Sequence, residues 1–154
     1  MDEAVAKIYG NKVRVRVCGL CWDNNSLLMA NHMGITPTNF WSPPGGGVDF
    51  GQSILETLKK EFMEETGLVV KPGQFLFGCE YIEGPIHSIE LFYPVSVEAG
   101  RLKTGTDPEI QIIKKVRYMD FTEIMDTPKN ELHGIFRIVE SPEDLTKLNG
   151  FYRI

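Results

Sequence analysis

Three glutamates, Glu61, Glu64 and Glu65, crowd the last turns of a stretch that otherwise reads as a helix, and a Pro44-Gly45-Gly46-Gly47 segment lies a short loop before them. Carboxylates in this pattern suit a hard divalent cation such as Mg²⁺, which takes oxygen ligands and relieves the repulsion among them. The competing reading is a solvated acidic face, and two costs weigh against it. The helix macrodipole disfavours each anion near its C-terminal end by about 0.3–1 kcal/mol, and Glu61 repels Glu64 and Glu65 at i,i+3 and i,i+4 by a few tenths more. On a wheel of about 100° per residue with Ile54 at zero, Leu58 falls at about 40°, Phe62 at about 80°, Glu65 at about 20° and Glu61 at about 340°. Glu65 therefore lies inside the apolar arc, where an ionised carboxylate is costly unless something positive meets it. Lys60, at about 240°, points elsewhere.

The element that positions these carboxylates has local signals at both ends. Ser53 with Glu56 makes a capping box, Ile54, Leu55, Leu58 and Phe62 form a helical stripe, and Gly67 suits the position just past the end. The glycines before the helix let backbone approach a charged ligand closely.

Gly46-x5-Gln52-x7-Lys60-Glu61-Phe62-x-Glu64-Glu65-x-Gly67-Leu68 resembles the Nudix box, the signature of the Nudix hydrolases, over residues 46–68. Two positions depart from its usual form: Gln52 stands where the family has Glu, and Lys60 where it has Arg. In the family those two residues pair and brace the loop, so the departure replaces a bidentate ion pair with at most a Lys to amide contact. The resemblance implies an α/β fold, a Nudix-type α/β/α sandwich with a mixed β-sheet. It also implies a hydrolase that uses Mg²⁺ or Mn²⁺ to cleave a phosphoanhydride in a nucleoside diphosphate linked to another group. By position, Glu64 and Glu65 match the helix ligands, the Gly45 carbonyl the backbone ligand, and Glu61 a third carboxylate that is either ligand or base. A further carboxylate from a late loop is expected, and Glu109 in Thr106-Asp107-Pro108-Glu109 is the candidate, with an acidic helix cap as the equal alternative. Catalysis would then fall to Glu61, Glu64 and Glu109. The partner implied is a small nucleoside diphosphate derivative, with a homodimer left open. A Nudix-fold binding or sensing module without turnover is the second reading, motivated by Gln52 and Lys60.

With 154 residues and 42% apolar content, the chain fits one globular domain over residues 1–154. A net charge of −5 and scattered Lys and Arg residues argue against a surface for duplex nucleic acid. No apolar run approaches the roughly 20 residues of a membrane span, and Met1-Asp2-Glu3 opens acidic rather than as a signal peptide, so the expected location is cytoplasmic. Cys18, Cys21 and Cys79 do not make a disulfide framework. The Cys18-x2-Cys21 spacing sends two strand side chains to opposite faces, which disfavours zinc.

Elsewhere, Val13 to Trp22 and Leu27 to Asn31 read as a hairpin around Asp23-Asn24-Asn25-Ser26, and Val69 to Tyr81 and Ser88 to Val97 as longer strands. Lys114 to Tyr118 is a shorter strand. Thr122 to Met125 forms a helical turn, Pro128 to Val139 a helix capped by Thr127, and Ser141 opens a last helix. Phe40, Trp41, Tyr81 and Phe92 are candidates to stack on a base, though strand aromatics are more often core. His32 and His87 read as satisfied structural residues rather than catalytic groups.

Overall fold

The computed structural model describes residues 3–32, 35–103 and 113–154. In chain order the elements are α1 (Glu3–Tyr9), β1 (Lys12–Leu20), β2 (Trp22–Asp23), β3 (Ser26–His32), β4 (Trp41–Ser42), β5 (Gly45–Gly47), α2 (Ile54–Thr66), β6 (Leu68–Pro72), β7 (Phe77–Glu83), β8 (Ile86–Gly100), β9 (Ile113–Asp120), α3 (Phe121–Asp126) and β10 (Gly150–Arg153). Short 3-10 helices occupy Lys129–Glu131, Gly134–Arg137 and Pro142–Lys147.

One sheet runs β10-β7-β8-β1-β5, with β6 pairing the far end of β8, and the other places β2 and β4 along one side of β3 and β9 along the other. β1 is parallel to β8 and β10 parallel to β7, while the remaining pairs are antiparallel. The fold is therefore α/β with a mixed sheet. β3 shows why two layers of cover are needed: Leu27, Leu28, Met29 and Ala30 are all fully buried, so both of its faces are packed. Leu27 and Met29 join Phe77, Phe92, Met119, Ile124 and Phe136 in one core. Leu28 and Ala30 join Val17, Leu58 and Phe62 in a second, beneath α2.

Helix α2 forms as its sequence requires. The Ser53 side chain accepts from the Glu56 N–H, and Gly67 takes a left-handed conformation (φ 77°) while donating to the Met63 carbonyl. Its buried arc is rotated slightly from the expected stripe: Leu55 is exposed and Thr57 buried, which centres the packed face near Leu58 and Glu65.

Five expectations change. The run from Val13 to Trp22 is not one hairpin arm, because β1 bonds along its length to β8, and the chain turns back onto β3 from Cys21, whose carbonyl accepts from the Leu28 N–H, through Trp22 and Asp23, which pair with Leu27 and Ser26. The run from Val69 to Tyr81 divides at Pro72-Gly73, where Gly73 donates to the Pro94 carbonyl and the chain changes its register on β8. Thr127 closes α3 instead of opening a helix, its N–H donating to the Glu123 and Ile124 carbonyls. The helix expected over 128–139 is two separate 3-10 turns because Leu132 bridges Trp41 and the His133 N–H donates to the Trp41 carbonyl, holding extended backbone between them. The last helix is likewise a 3-10 segment, Pro142–Lys147, and α1 and β10 are additional elements too short to carry a clear period.

Candidate active site

Pairing of β5 with β1 sets Gly45 opposite Cys18, Gly46 opposite Val17 and Gly47 opposite Arg16. The glycines allow close approach: a Cβ on Gly45 would lie 2.2 Å from the Val17 carbonyl oxygen, and one on Gly46 would lie 2.4 Å from Cδ of Glu61. The Glu61 carboxyl thus rests against the Gly46 backbone. Glu65, only 2% exposed, accepts a hydrogen bond from the Gly45 N–H at 3.2 Å. The inward azimuth expected for Glu65 is what the helix adopts.

Glu61, Glu65 and Gly45 line one wall of a cleft of about 450 Å³, whereas Glu64 stands one step round the helix, outside that lining. Glu64 Oε2 is enclosed and has no hydrogen-bond partner among the described residues. Among the described residues no three His, Cys, Asp or Glu side chains are gathered into a group able to hold an ion. The donor set nonetheless fits a hard cation, since it offers carboxylate oxygens, one of them enclosed without a partner, beside bare backbone. Glu61, Glu64, Glu65 and the Gly45 carbonyl are the groups that would hold it. Glu109 lies outside the described residues. Lys60 is exposed at the cleft and Gln52 exposed away from it, and no hydrogen bond or ion pair joins the two among the described residues.

The cleft floor holds a buried polar relay that the sequence reading missed. Glu90 Oε2 accepts from Arg16 at 2.8 Å and from the Cys18 thiol at 3.7 Å, and Glu90 Oε1 lies 2.9 Å from His133 Nε2. The Ile135 N–H donates to His133 Nδ1, which leaves Nε2 to carry the proton and donate to Glu90. Burial alone would raise the Glu90 carboxyl, but His133 and Arg16 outweigh it and hold the group down at about 2. A signal existed in β8: Ile86, Ser88, Glu90 and Phe92 share the inward phase, so Glu90 sits where an apolar residue belongs.

The aromatic candidates separate cleanly. Trp41 and Phe92 belong to the core, while Phe40 and Tyr81 line the cleft. Phe40 lies between the rings of His32 and His133, at 6.5 and 6.3 Å. His87 pairs with Glu80 away from the cleft lining, whereas His32 lines it and shares a 3.0 Å hydrogen bond with Ser42 Oγ. Cys18 and Cys21 fall in different cores, on opposite faces as their spacing requires.

His32 makes the fold sensitive to mild acid. Burial, with smaller contributions from Arg16 and His133, lowers its pKa from 6.5 to about 3. The unfolded chain therefore takes up this proton first, so stability is full above about pH 6.5 and is lost as pH falls towards about 3. Glu90, whose folded value of about 2 lies below the ordinary 4.5, adds to the loss only below that higher value. His32→Gln keeps a hydrogen-bonding group for Ser42 and is expected to flatten the fall in melting temperature between about pH 7 and pH 5. An unchanged slope in thermal melts would remove His32 as its source.

The family described as NUDIX domain matches residues 11–138. The chain is similar to an ADP-ribose pyrophosphatase of Methanocaldococcus jannaschii, 28% identical over 95 residues that cover 60% of this chain and 56% of that protein. It is also similar to an 8-oxo-dGTP diphosphatase of Buchnera aphidicola, 38% identical over 55 residues covering 36% of this chain and 44% of that protein. The matched part spans about half the length of these curated relatives. Among solved structures, a MutT Nudix hydrolase from Burkholderia pseudomallei superposes with a TM-score of 0.68 at 19% identity, covering 82% of this chain and 95% of that one, a likeness of fold.

Proposed function

The chain belongs to the Nudix family, and from that premise we propose that it is a metal-dependent pyrophosphohydrolase acting on a nucleoside diphosphate joined to another group. A nucleotide sugar, an ADP-ribose-like compound or a (d)NTP all fit this class. The observation that carries the reading is the packing of Glu61 and Glu65 against the bare Gly45-Gly46 backbone at the wall of a cleft with Arg16 on its floor. A binding module has little reason to retain three mutually repelling carboxylates on a helix end that disfavours them.

Bound Mg²⁺ or Mn²⁺ would polarise a phosphoryl oxygen and make a water more nucleophilic. The chain's own residues supply the rest. Water adds to phosphorus, its proton passes to a carboxylate, and the anhydride P–O bond breaks to release a nucleoside monophosphate and the second phosphorylated product. Glu61 and Glu109 are the candidates for that proton, with Glu64 as ligand. Phe40 and Tyr81 offer aromatic surface on the cleft wall for the base.

We place the protein in the cytoplasm, acting on a small molecule rather than a nucleic acid duplex, with a homodimer as an assembly to test. Among the described residues no helix is long and apolar enough to cross a membrane. The experiment is a panel of ADP-ribose, nucleotide sugars and (d)NTPs with Mg²⁺, Mn²⁺ or EDTA, read by chromatography of nucleoside monophosphate. Metal-dependent product from at least one class is expected. Saturable binding with no turnover on any class under either metal would favour the sensing module that Gln52 and Lys60 suggest.

A further inference from the structure

We propose that Arg16 binds the phosphoryl oxygens of the substrate's pyrophosphate, and that the buried Glu90 is a positioning residue that aims it. The inference rests on the pyrophosphohydrolase reading and names the group that meets the anion on the floor beside the acidic helix.

The register of β1 on β5 places Arg16 directly opposite Gly47, at the end of the glycine segment that packs on α2. Its side chain is 17% exposed and lines the same cleft as Glu61 and Glu65. One guanidinium nitrogen, NH1, is bonded to Glu90, and no protein hydrogen bond from Nε or NH2 is found among the described residues. Arginine carries five donors in a planar fork, so this single contact leaves donors for an anion in the cleft. Arg14, the neighbouring cation, is engaged differently, its guanidinium lying 3.9 Å from the centre of the Tyr9 ring.

Glu90 is built to hold rather than to react. It is 3% exposed and both of its oxygens are occupied, one by Arg16 and one by His133, whose ring is fixed in turn by the Ile135 N–H. Buried ion pairs are weak sources of stability, and apolar side chains of similar volume would often serve a core as well or better. A relay this costly at the floor of a cleft instead fits preorganisation of a binding group. The charge pattern calls for one: a diphosphate entering here meets Glu61, Glu65, Glu83 and Asp49 in the lining, and of the cations there, Arg14, Arg16, Lys60 and Arg137, Arg16 is the one held by a buried carboxylate.

Pyrophosphate in EDTA, followed by isothermal titration calorimetry, isolates anion binding from metal and turnover. Wild-type protein is expected to bind it, and Arg16→Met to weaken binding by about tenfold to a hundredfold. Arg16→Lys should recover part of that loss. Glu90→Gln should weaken binding as well, while Arg16→Met with Glu90→Gln, which removes both charges, keeps a folded protein with no further loss beyond Arg16→Met. On a substrate that the wild type hydrolyses, Arg16→Lys should raise KM more than it lowers kcat. Wild-type affinity for pyrophosphate in folded Arg16→Met, an unchanged KM in Arg16→Lys, or no pyrophosphate binding by the wild type would each overturn the assignment. Pyrophosphate binding that depends on Arg16, in a protein that hydrolyses nothing in the panel, would instead sink the hydrolase reading and leave Arg16 as the anion site.

Discussion

Glu64→Gln and Glu65→Gln are each expected to lower Mg²⁺-dependent turnover by about a hundredfold or more while leaving the protein folded. The two changes remove a negative charge and keep the size of the side chain. Glu65 accepts the Gly45 N–H, and a glutamine carbonyl oxygen can accept the same bond, so the lock between β5 and α2 survives. Glu64 Oε2 has no hydrogen-bond partner to lose among the described residues. Both substitutions also relieve repulsion and an unfavourable dipole contact at the end of α2, worth about 0.3–1 kcal/mol. Melting temperature in EDTA should therefore hold or rise while turnover collapses. Glu65→Ala is the contrasting control, because it leaves a buried N–H unsatisfied at a cost of about 1–3 kcal/mol. Wild-type turnover in both glutamine variants, on a substrate the parent hydrolyses, would show that neither carboxylate serves the metal.

That pair of residues could be singled out from sequence because α2 is governed by local rules. Its 13 residues hold a period, Ser53 and Gly67 mark its ends, and a carboxylate in the apolar arc is visible without knowing what packs there. The Arg16-Glu90-His133 relay obeys no such rule. Its members are 74 and 43 residues apart and meet only because β1 lies parallel to β8 and the Trp41 bridge fixes Leu132 and His133. The same bridge explains why the turns after α3 are not the one helix that the sequence predicts: Pro128 and the following apolar spacing suit a helix, and a distant backbone contact overrides them. Leu55, expected in the buried stripe, is exposed for a related reason, since the face of α2 that packs is set by the strands it meets, β6, β5 and β1, rather than by hydrophobicity alone.

The close fit of Gly46 against Glu61 allows a test of Glu61 that does not begin by altering its carboxylate. Gly46 does not adopt the left-handed conformation, so an alanine there carries no backbone strain. Its methyl, however, would stand 2.4 Å from Cδ of Glu61, and the flexible side chain has to move away. Gly46→Ala is therefore expected to lower turnover by about 10²–10⁴-fold if Glu61 is the base, and substantially if it is a metal ligand, because either role needs the carboxylate within hydrogen-bonding or coordination reach. Gly45→Ala would not be informative, since its methyl meets the Val17 backbone and damages the fold. The decisive measurement is the cycle with Glu61→Gln. If Gly46→Ala acts by displacing Glu61, each single change should cost about as much as the two together, as for residues that act as one unit. Turnover losses that multiply in the double variant, with melting temperatures matched, would mean that the alanine disturbs something other than Glu61. Full activity in Gly46→Ala would mean that the position of the Glu61 carboxylate against the glycine backbone is not the one used in catalysis.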